Sequence, residues 1–342
     1  MSCFNHSFGV EIECFLPADT TRQELAAAIN QRLNDANACQ VQDYNHNLAT
    51  CWKIVTDGSL QDYSRGIEIV SPILKGEVDL AKVETVCKAL QDFGCTVNKK
   101  CGLHVHVGVG NASLRFWKDL LSMYNLFEPV IDNMMPKSRR ASNNKFCSTM
   151  RHASLAQIES ATSFSALLGI VNNRTYREAR YYKLNMTAYA RHRTVEFRQH
   201  SGTTDANKVK HWVLICLALV EAAKQEQFNS AVFAARAANV ARVGTKNHMI
   251  GQMLLRPEGV TSREVLAATG WTSISIPEIA GFCGISTHSR KMGRLTRYYA
   301  VTAISVQANL ASFASLIKLS DATRSYMEQR SNDLAGDVAW AA

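Results

Sequence analysis

The sequence lacks the patterns that define several common protein classes. Its 342 residues contain no apolar run of about 18 residues, the length that a membrane-spanning helix needs. Its ten cysteines include no C-x-x-C pair, which argues against a zinc ribbon. The N-terminus shows no basic region followed by an apolar stretch, so we expect no export signal. These absences predict a cytoplasmic protein with reduced thiols and no membrane partner.

The common nucleotide-binding signatures are also missing. No G-x-x-x-x-G-K-[ST] motif occurs, which excludes a P-loop ATPase. Gly108 and Gly110 follow a predicted strand, but Ser113 occupies the position of the third glycine of a dinucleotide-binding loop. A Rossmann site is therefore excluded as well.

Length and charge indicate two domains with different partners. A chain of 342 residues exceeds one ordinary core of about 100–200 residues. The net charge is +9, and residues 241–300 hold eight Lys and Arg against three Glu. Such a basic segment is typical of a nucleic-acid or other polyanion surface, although a solvated face has the same composition.

Hydrophobic periodicity predicts an α+β domain followed by a small helical unit. We expect a first domain over 1–228, a helical connector over 229–245, a second domain over 246–305, and a C-terminal helix and tail over 306–342. The predicted strands are 8–15, 52–55, 66–70, 103–109, 183–189 and 194–199. The predicted helices of the first domain are 21–33, 78–93, 114–127, 154–171 and 207–225.

Four of these strands place charged or imidazole side chains on one face, because alternate residues of a strand point the same way. The pairs and single residues concerned are Glu11 and Glu13, Glu68, His104 and His106, and Glu196 and Arg198. Each strand alone could be an exposed face, a salt-bridged ladder or part of a zinc site. Taken together, they predict one face of a sheet that binds two hard cations and a nucleotide phosphate.

The ordered motifs of the first domain resemble a known family. They are G-V-E-I-E, W-K-I-V-T-D-G-S-L with G-I-E-I-V-S-P, G-L-H-V-H-V-G, R-Y-Y-K-L-N and V-E-F-R-Q-H-S-G-T. This order resembles the amidoligases, relatives of glutamine synthetase and glutamate–cysteine ligase, over about residues 8–225. The resemblance implies a curved antiparallel sheet with flanking helices. It also implies ATP-dependent amide or isopeptide formation from a carboxylate and an amine, through an acyl-phosphate, with Mg²⁺ or Mn²⁺.

The same resemblance implies how the metal ions and the nucleotide are bound. Glu11 would bind one ion together with His104 and Glu196. Glu13 would bind a second ion with Glu68. Three further side chains would bind the nucleotide or support its site, namely His106 toward the ATP phosphates, Asn185 and Ser59.

Catalytic roles carry over to four more residues. Arg198 would grip the substrate carboxylate or the acyl-phosphate, and Asp57, in the D-G-S turn, would bind or deprotonate the amine. Arg180 and Arg193 match the family pattern less tightly and would neutralise charge during phosphoryl transfer. These residue types suit the chemistry, because a carboxylate becomes a good electrophile only after phosphorylation.

Three other functions remain compatible with the residues. His104 and His106 could begin a zinc hydrolase site, which would leave the two acidic strand motifs without a role. A guanidino-kinase-like phosphotransferase shares the implied fold. A nucleotide-sensing DNA-binding regulator is the third alternative, although a sensor does not need the whole set of acids, imidazoles and arginines.

The second domain resembles a small winged helix of bacterial and phage proteins. Residues 254–271 predict a helix-turn-helix with Ser262 as N-cap, the segment 276–282 predicts a recognition-like helix, and 288–299 a basic hairpin. Four cations would meet nucleic-acid phosphates, namely Arg290, Lys291, Arg294 and Arg297. Protein contacts, including a homo-oligomer, are the alternative, because the 276–282 helix carries only Glu278 as a charged residue.

Overall fold

A computed structural model describes residues 5–336, apart from 44, 46, 63, 176–177, 226–244, 255, 257, 283–286, 294, 301–309 and 311–312. The chain forms two compact units, one of Met1–Phe228 with Ala314–Ala342 and one of Asn229–Phe313. The predicted connector 229–245 lies, apart from its last residue, outside the described residues. No described helix has the length and apolar character needed to cross a membrane.

The first unit is a large sheet covered by helices. Its strands are β1 (Ser7–Phe15), β2 (Cys39–Val41), β3 (Trp52–Thr56), β4 (Gly66–Val70), β5 (Leu74–Lys75), β6 (Gly102–Gly108), β7 (Leu184–Asn185) and β8 (Thr194–Ser201). Its helices are α1 (Arg22–Leu33), α2 (Gly76–Phe93), α3 (Leu114–Asn133), α4 (Leu155–Ser160), α5 (Phe164–Val171), α6 (Ala188–His192) and α7 (Ala206–Lys224).

The sheet has eight strands in the order β2-β3-β4-β1-β6-β8-β7, with β5 also paired to β1. All of these pairs are antiparallel except β2 with β3. The expected wholly antiparallel sheet is therefore wrong at this edge. Residues 42–51 carry the chain back before Trp52, so that β3 runs beside β2 in the same direction, and parallel neighbours need such a crossover.

The inward side chains of the central strands are apolar and lie beneath a helical layer. Val10, Ile12 and Cys14 of β1 are at most 1% exposed. The helices α1, α2, α3 and α7 pack side by side, and α7 also contacts β6. Burying one face of the sheet in this way forces the alternate residues of β1 and β6 to the opposite face.

Two predicted elements differ from the structure. The expected helix over 154–171 is interrupted at 161–163, and Ser154 and Ser163 each cap a separate helix. The expected strand over 183–189 pairs only at Leu184–Asn185. Asn185 then accepts hydrogen bonds from the backbone and hydroxyl of Thr187, which turns the chain into α6. Local side-chain bonds of this kind compete with the strand ladder.

The second unit contains three helices and a three-stranded sheet within its described residues. These are α8 (Lys246–Leu254), β9 (Val260–Thr261), α9 (Ser262–Thr269), α10 (Ile276–Phe282), β10 (Thr287–Met292) and β11 (Leu295–Ala300), with the sheet order β10-β11-β9. Thr261, rather than the expected Ser262, caps α9 through a capping box with Glu264. Ile250, Val265 and Ile276 belong to its buried core.

The last described helix, α11 (Asp321–Gly336), belongs to the first unit. Its Tyr326 ring stacks on His211 of α7 at a centroid distance of 4.5 Å. The sequence places this helix from about residue 306, and most residues of the segment 301–312 lie outside the described part of the chain. The described helix therefore agrees with the prediction only from Asp321 onward.

Candidate active site

Strand pairing brings the predicted acids and imidazoles together. Glu13 of β1 lies opposite Glu68 of β4, and Glu11 lies opposite His104 of β6. His106 in turn lies opposite Glu196 of β8. The four central strands thus place these side chains, together with Arg198, in one group, which we call the acid–imidazole cluster.

His104 is the centre of this cluster. Its Nδ1 lies 3.1 Å from Glu11 Oε2 and 3.7 Å from Glu196 Oε1, while its Nε2 lies 3.5 Å from Glu13 Oε1. Two overlapping sets of candidate metal ligands result, each with its ligand atoms within 4.8 Å of one another. The first set is Glu11, His104 and Glu196, and the second is Glu13, Glu68 and His104.

A bulge between β6 and β8 aims His104 at these acids. The register shifts between Leu103 and Val105, so that two residues of β8 oppose His104 alone. Gly102 precedes the bulge, and its N–H donates to Glu13 Oε2 at 2.6 Å. A Cβ at Gly102 would come within 2.7 Å of His104 Nε2, so the ring needs a glycine there.

The cluster concentrates negative charge in a buried place. Burial, followed by repulsion from Glu11 and Glu13, raises the pKa of Glu68 well above its usual value. Burial acts in the same direction on Glu11, but the charges and hydrogen bonds of His106 and His104 outweigh it and hold the pKa of Glu11 well below its usual value. Carboxylates in this state need a compensating cation.

Arg198 supplies part of that compensation. Its guanidinium pairs with Glu196 and lies 3.5 Å from the carbonyl of Phe146. Burial opposes ionisation of Glu196, but Arg198 and then His106 keep its pKa below the usual value. Asn185 donates to the other oxygen of Glu196 at 2.6 Å, which fixes the carboxylate from the β7 side.

Two cavities meet at the cluster and share Glu11 and Glu68 in their walls. The smaller has a volume of about 120 Å³ and adds Asp57 and Ser59 to the acids. Asp57 is held there by its own turn, because it accepts hydrogen bonds from the backbone and hydroxyl of Ser59, both at 2.8 Å. Four cations complete this smaller cavity, namely Lys100, Arg139, Arg180 and Arg198.

The larger cavity has a volume of about 410 Å³. His106 lines it, and its Nδ1 lies 3.0 Å from Thr194 Oγ1. Arg193 lines it too, from the left-handed C-cap position that ends α6. Three lysines lie in the same walls, namely Lys53, Lys75 and Lys224.

The predicted residues are thus divided between the two cavities, except Asn185 and Glu196, which line neither. Arg180 lines the smaller cavity and Arg193 the larger. Two buried cations in the cavity walls lie outside the predicted site residues, Lys53 of β3 in the larger cavity and Arg139 in the smaller. The sequence analysis missed Lys53, although a lysine inside the apolar strand W-K-I-V-T is the signal that identifies it. Arg139 stands in a basic run without such a signal.

A family profile with the description "Putative amidoligase enzyme" matches residues 5–220, which is more than half of the chain. The chain belongs to this amidoligase family. The matched segment of this amidoligase includes the whole acid–imidazole cluster and the walls of the smaller cavity.

The other comparisons add a distant structural neighbour. The amidoligase is similar to the glutamine synthetase of Plasmodium falciparum solved by electron cryomicroscopy, with 12% identity over 98% of this chain and 73% of that chain. The TM-score is 0.36, and a likeness at this level carries no weight for function. No curated protein matches the amidoligase.

Proposed function

We propose that this amidoligase joins a carboxylate to an amine at the expense of ATP, through an acyl-phosphate, with release of ADP and phosphate. Family membership supports a ligase in general terms. The observation that carries the finer proposal is the position of the acid–imidazole cluster, whose Glu11 and Glu68 belong to the walls of both cavities. Two substrates bound in separate cavities would meet there.

The donor set of the cluster fits two Mg²⁺ ions, or Mn²⁺ in their place. Glu11, His104 and Glu196 would hold one ion, and Glu13 with Glu68 would hold the other. Carboxylate oxygens are the ligands that Mg²⁺ prefers, and an excess of buried acid needs such cations. When bound, the ions would offset the charge that develops on the transferred phosphoryl group.

The larger cavity suits the nucleotide. Its volume of about 410 Å³ lies within the range of ligand pockets, about 300–1,000 Å³. Arg193, Lys75 and Lys224 in its walls match the charge of a triphosphate, and His106 lies between these walls and the cluster. The smaller cavity, with its four cations and Asp57, suits a small carboxylate substrate and the amine.

The reaction follows from these positions. An oxygen of the substrate carboxylate attacks the γ-phosphorus, and the bond to the β-phosphate oxygen breaks and releases ADP. Arg198 and Arg180 stabilise the negative charge of the acyl-phosphate on the side of the smaller cavity. The amine nitrogen then attacks the acyl carbon, Asp57 accepts its proton, and phosphate leaves with the pair of electrons of the C–O bond.

The test is ATP turnover with pooled carboxylates and amines, with nucleotide products identified by mass. We expect ADP and phosphate only in the presence of a substrate pair, and at least a hundredfold loss in Glu11→Ala, which removes a metal ligand. Glu77→Ala, an exposed glutamate on α2, is the matched control and should keep wild-type turnover. AMP and pyrophosphate would contradict the acyl-phosphate, and substrate-independent hydrolysis would contradict the ligase.

The second unit carries a separate proposal, that it binds nucleic acid through its β10–β11 hairpin as a winged helix. Arg290 and Lys291 are exposed on β10. Arg297, expected at phosphates, instead pairs with Glu264 at 3.0 Å, and Arg294 lies outside the described residues. Replacing Arg290 and Lys291 by Ala should lower duplex DNA affinity and its salt dependence, and equal affinity would contradict this partner.

A further inference from the structure

Two exposed apolar side chains stand in the walls of the larger cavity. Leu48, between β2 and β3, is 67% exposed, and Ile73, between β4 and β5, is 62% exposed. Single exposed apolar residues are normal on protein surfaces. Here, however, two of the seven exposed large apolar side chains of the described residues come from separate loops to the same cavity.

Charged side chains also stand in the walls of this cavity. Arg193, Lys75 and Lys224 are cationic, and Glu11 and Glu68 belong to the acid–imidazole cluster. A ligand that satisfies all the walls must therefore carry a strongly anionic part and a flat or apolar part. A nucleoside triphosphate has both parts, joined by a polar sugar.

A buried lysine donates hydrogen bonds to the loop that carries Leu48. Lys53 Nζ donates to the Asn45 carbonyl at 3.2 Å, to Asn45 Oδ1 at 2.9 Å and to the Asn47 carbonyl at 2.8 Å. An ammonium group has three N–H donors, and all three are used here. Lys53 therefore acts on the loop rather than on a ligand, and it sets the position of Leu48.

We propose that Leu48 and Ile73 form an apolar clamp for the nucleobase of ATP, and that Lys53 is the positioning residue of that clamp. This inference rests on the proposed function, since it assigns the nucleotide to the larger cavity. Burial of the exposed apolar area against the flat faces of a base would supply its binding energy. A purine, with the larger ring system, would be preferred over a pyrimidine.

The test distinguishes the contribution of the nucleobase to ATP binding from that of the phosphates. Dissociation constants of ATP and of inorganic tripolyphosphate are measured with Mn²⁺ by calorimetry for wild type, Leu48→Ala, Ile73→Ala and Lys53→Met. We expect each alanine variant to weaken ATP binding about tenfold, which is about 1.4 kcal/mol, and to leave tripolyphosphate binding within about twofold. Lys53→Met should weaken ATP in the same selective way.

Two controls keep the outcome specific. Val78→Ala removes an apolar side chain that is 75% exposed and lies outside the walls of the cavity, and it should bind ATP as wild type does. Leu48→Met keeps the apolar bulk and should restore ATP affinity to within about twofold of wild type.

The results distinguish failure of the apolar clamp from failure of the proposed function. Unchanged ATP affinity in Leu48→Ala and Ile73→Ala would overturn the clamp alone, as would an equal loss of ATP and tripolyphosphate binding. Absence of ATP binding to the wild-type protein would contradict the proposed function, and the clamp would be overturned with it.

Discussion

The first unit contains two buried clusters of charged side chains, which differ in how their charge is compensated. Besides the acid–imidazole cluster, α3 contributes Glu128 and Asp132 to a network around Lys183. Lys183 Nζ lies 2.9 Å from Glu128 Oε1 and 2.5 Å from Asp132 Oδ1, and both Lys183 and Glu128 are fully buried. We call these three residues the Lys183 network.

The chain itself supplies partners for both carboxylates of this network. Glu128 also accepts hydrogen bonds from the Thr149 hydroxyl and from the backbone of Met150. Asp132 also accepts them from Gln199 and from the backbone of Ala141. The network thereby ties the segment 141–150, which brings Asn144 and Phe146 to the smaller cavity, to α3 and the sheet.

The acid–imidazole cluster has no such balance. Four glutamates share one arginine and two histidines, and the pKa of Glu68 is raised for that reason and by burial. The comparison teaches how buried charge can be interpreted. Acids whose partners all come from the chain hold the fold together, whereas acids left in excess at a cavity suit the binding of a cation.

The largest expected effect concerns the Lys183 network. Lys183→Met should lower the free energy of unfolding by about 3–5 kcal/mol, because it leaves the buried Glu128 and the half-buried Asp132 without their cation. Urea denaturation measures this loss. Lys88→Met, at an exposed lysine of α2, is the control and should change stability by less than about 0.5 kcal/mol. A similar small change in Lys183→Met would show that the network is not structural.

Metal binding should have a somewhat smaller effect, confined to the other cluster. Mn²⁺ at a hundred times its dissociation constant should raise the free energy of unfolding by about 2.7 kcal/mol, since only the folded chain assembles the site. A chelator should reverse the gain. Glu11→Ala removes a ligand of one of the two proposed ions and should show a smaller gain, while Glu77→Ala should respond as wild type. A full response of Glu11→Ala would place that ion elsewhere.

In the third prediction, removal of a charge from the acid–imidazole cluster stabilises the folded protein, whereas removal of the Lys183 charge destabilises it. Glu68→Gln should stabilise the metal-free protein by about 1 kcal/mol at neutral pH, although it removes a charged residue from a buried site. The folded pKa of Glu68 is raised, so its contribution to stability is present below about pH 4.5 and is lost as the pH rises through the folded pKa. Glutamine does not ionise, so this loss of stability does not occur in Glu68→Gln.

Urea denaturation of the metal-free proteins over a pH series measures this effect. The stability difference between Glu68→Gln and wild type should grow from about pH 4 upward. A difference that does not depend on pH would contradict the excess of acid in the cluster. The same variant should bind Mn²⁺ about tenfold more weakly, because one ligand is lost.

The smallest expected effect concerns the geometry of the cluster. Gly102→Ala should displace His104, whose Nε2 would lie 2.7 Å from the new Cβ, and should weaken Mn²⁺ binding about fivefold, or by about 1 kcal/mol. Gly169→Ala adds a Cβ with no heavy atom within 4 Å and should leave Mn²⁺ binding unchanged. Equal affinities in the two variants would show that the bulge does not position His104.

Local patterns in the sequence predicted most elements of the first unit and the residues of its cluster. Alternation along β1, β6 and β8 predicts which side chains share a face, and the helix predicted over 21–33 agrees within one residue with α1, which Thr21 caps through a capping box. These features depend on neighbours two to four residues apart, so the sequence contains them directly. The ordered motifs then led to the amidoligase family, which the profile match confirms.

What the sequence determined by itself is therefore the chemistry of each strand, and what the tertiary structure decided is their arrangement. The order β4-β1-β6-β8, the bulge at His104 and the division of Arg180 and Arg193 between two cavities depend on contacts between residues far apart in the chain. Lys53 and Glu128 are buried for the same reason. Only long-range packing decides whether a charged side chain meets water, another charge or an empty space for a ligand.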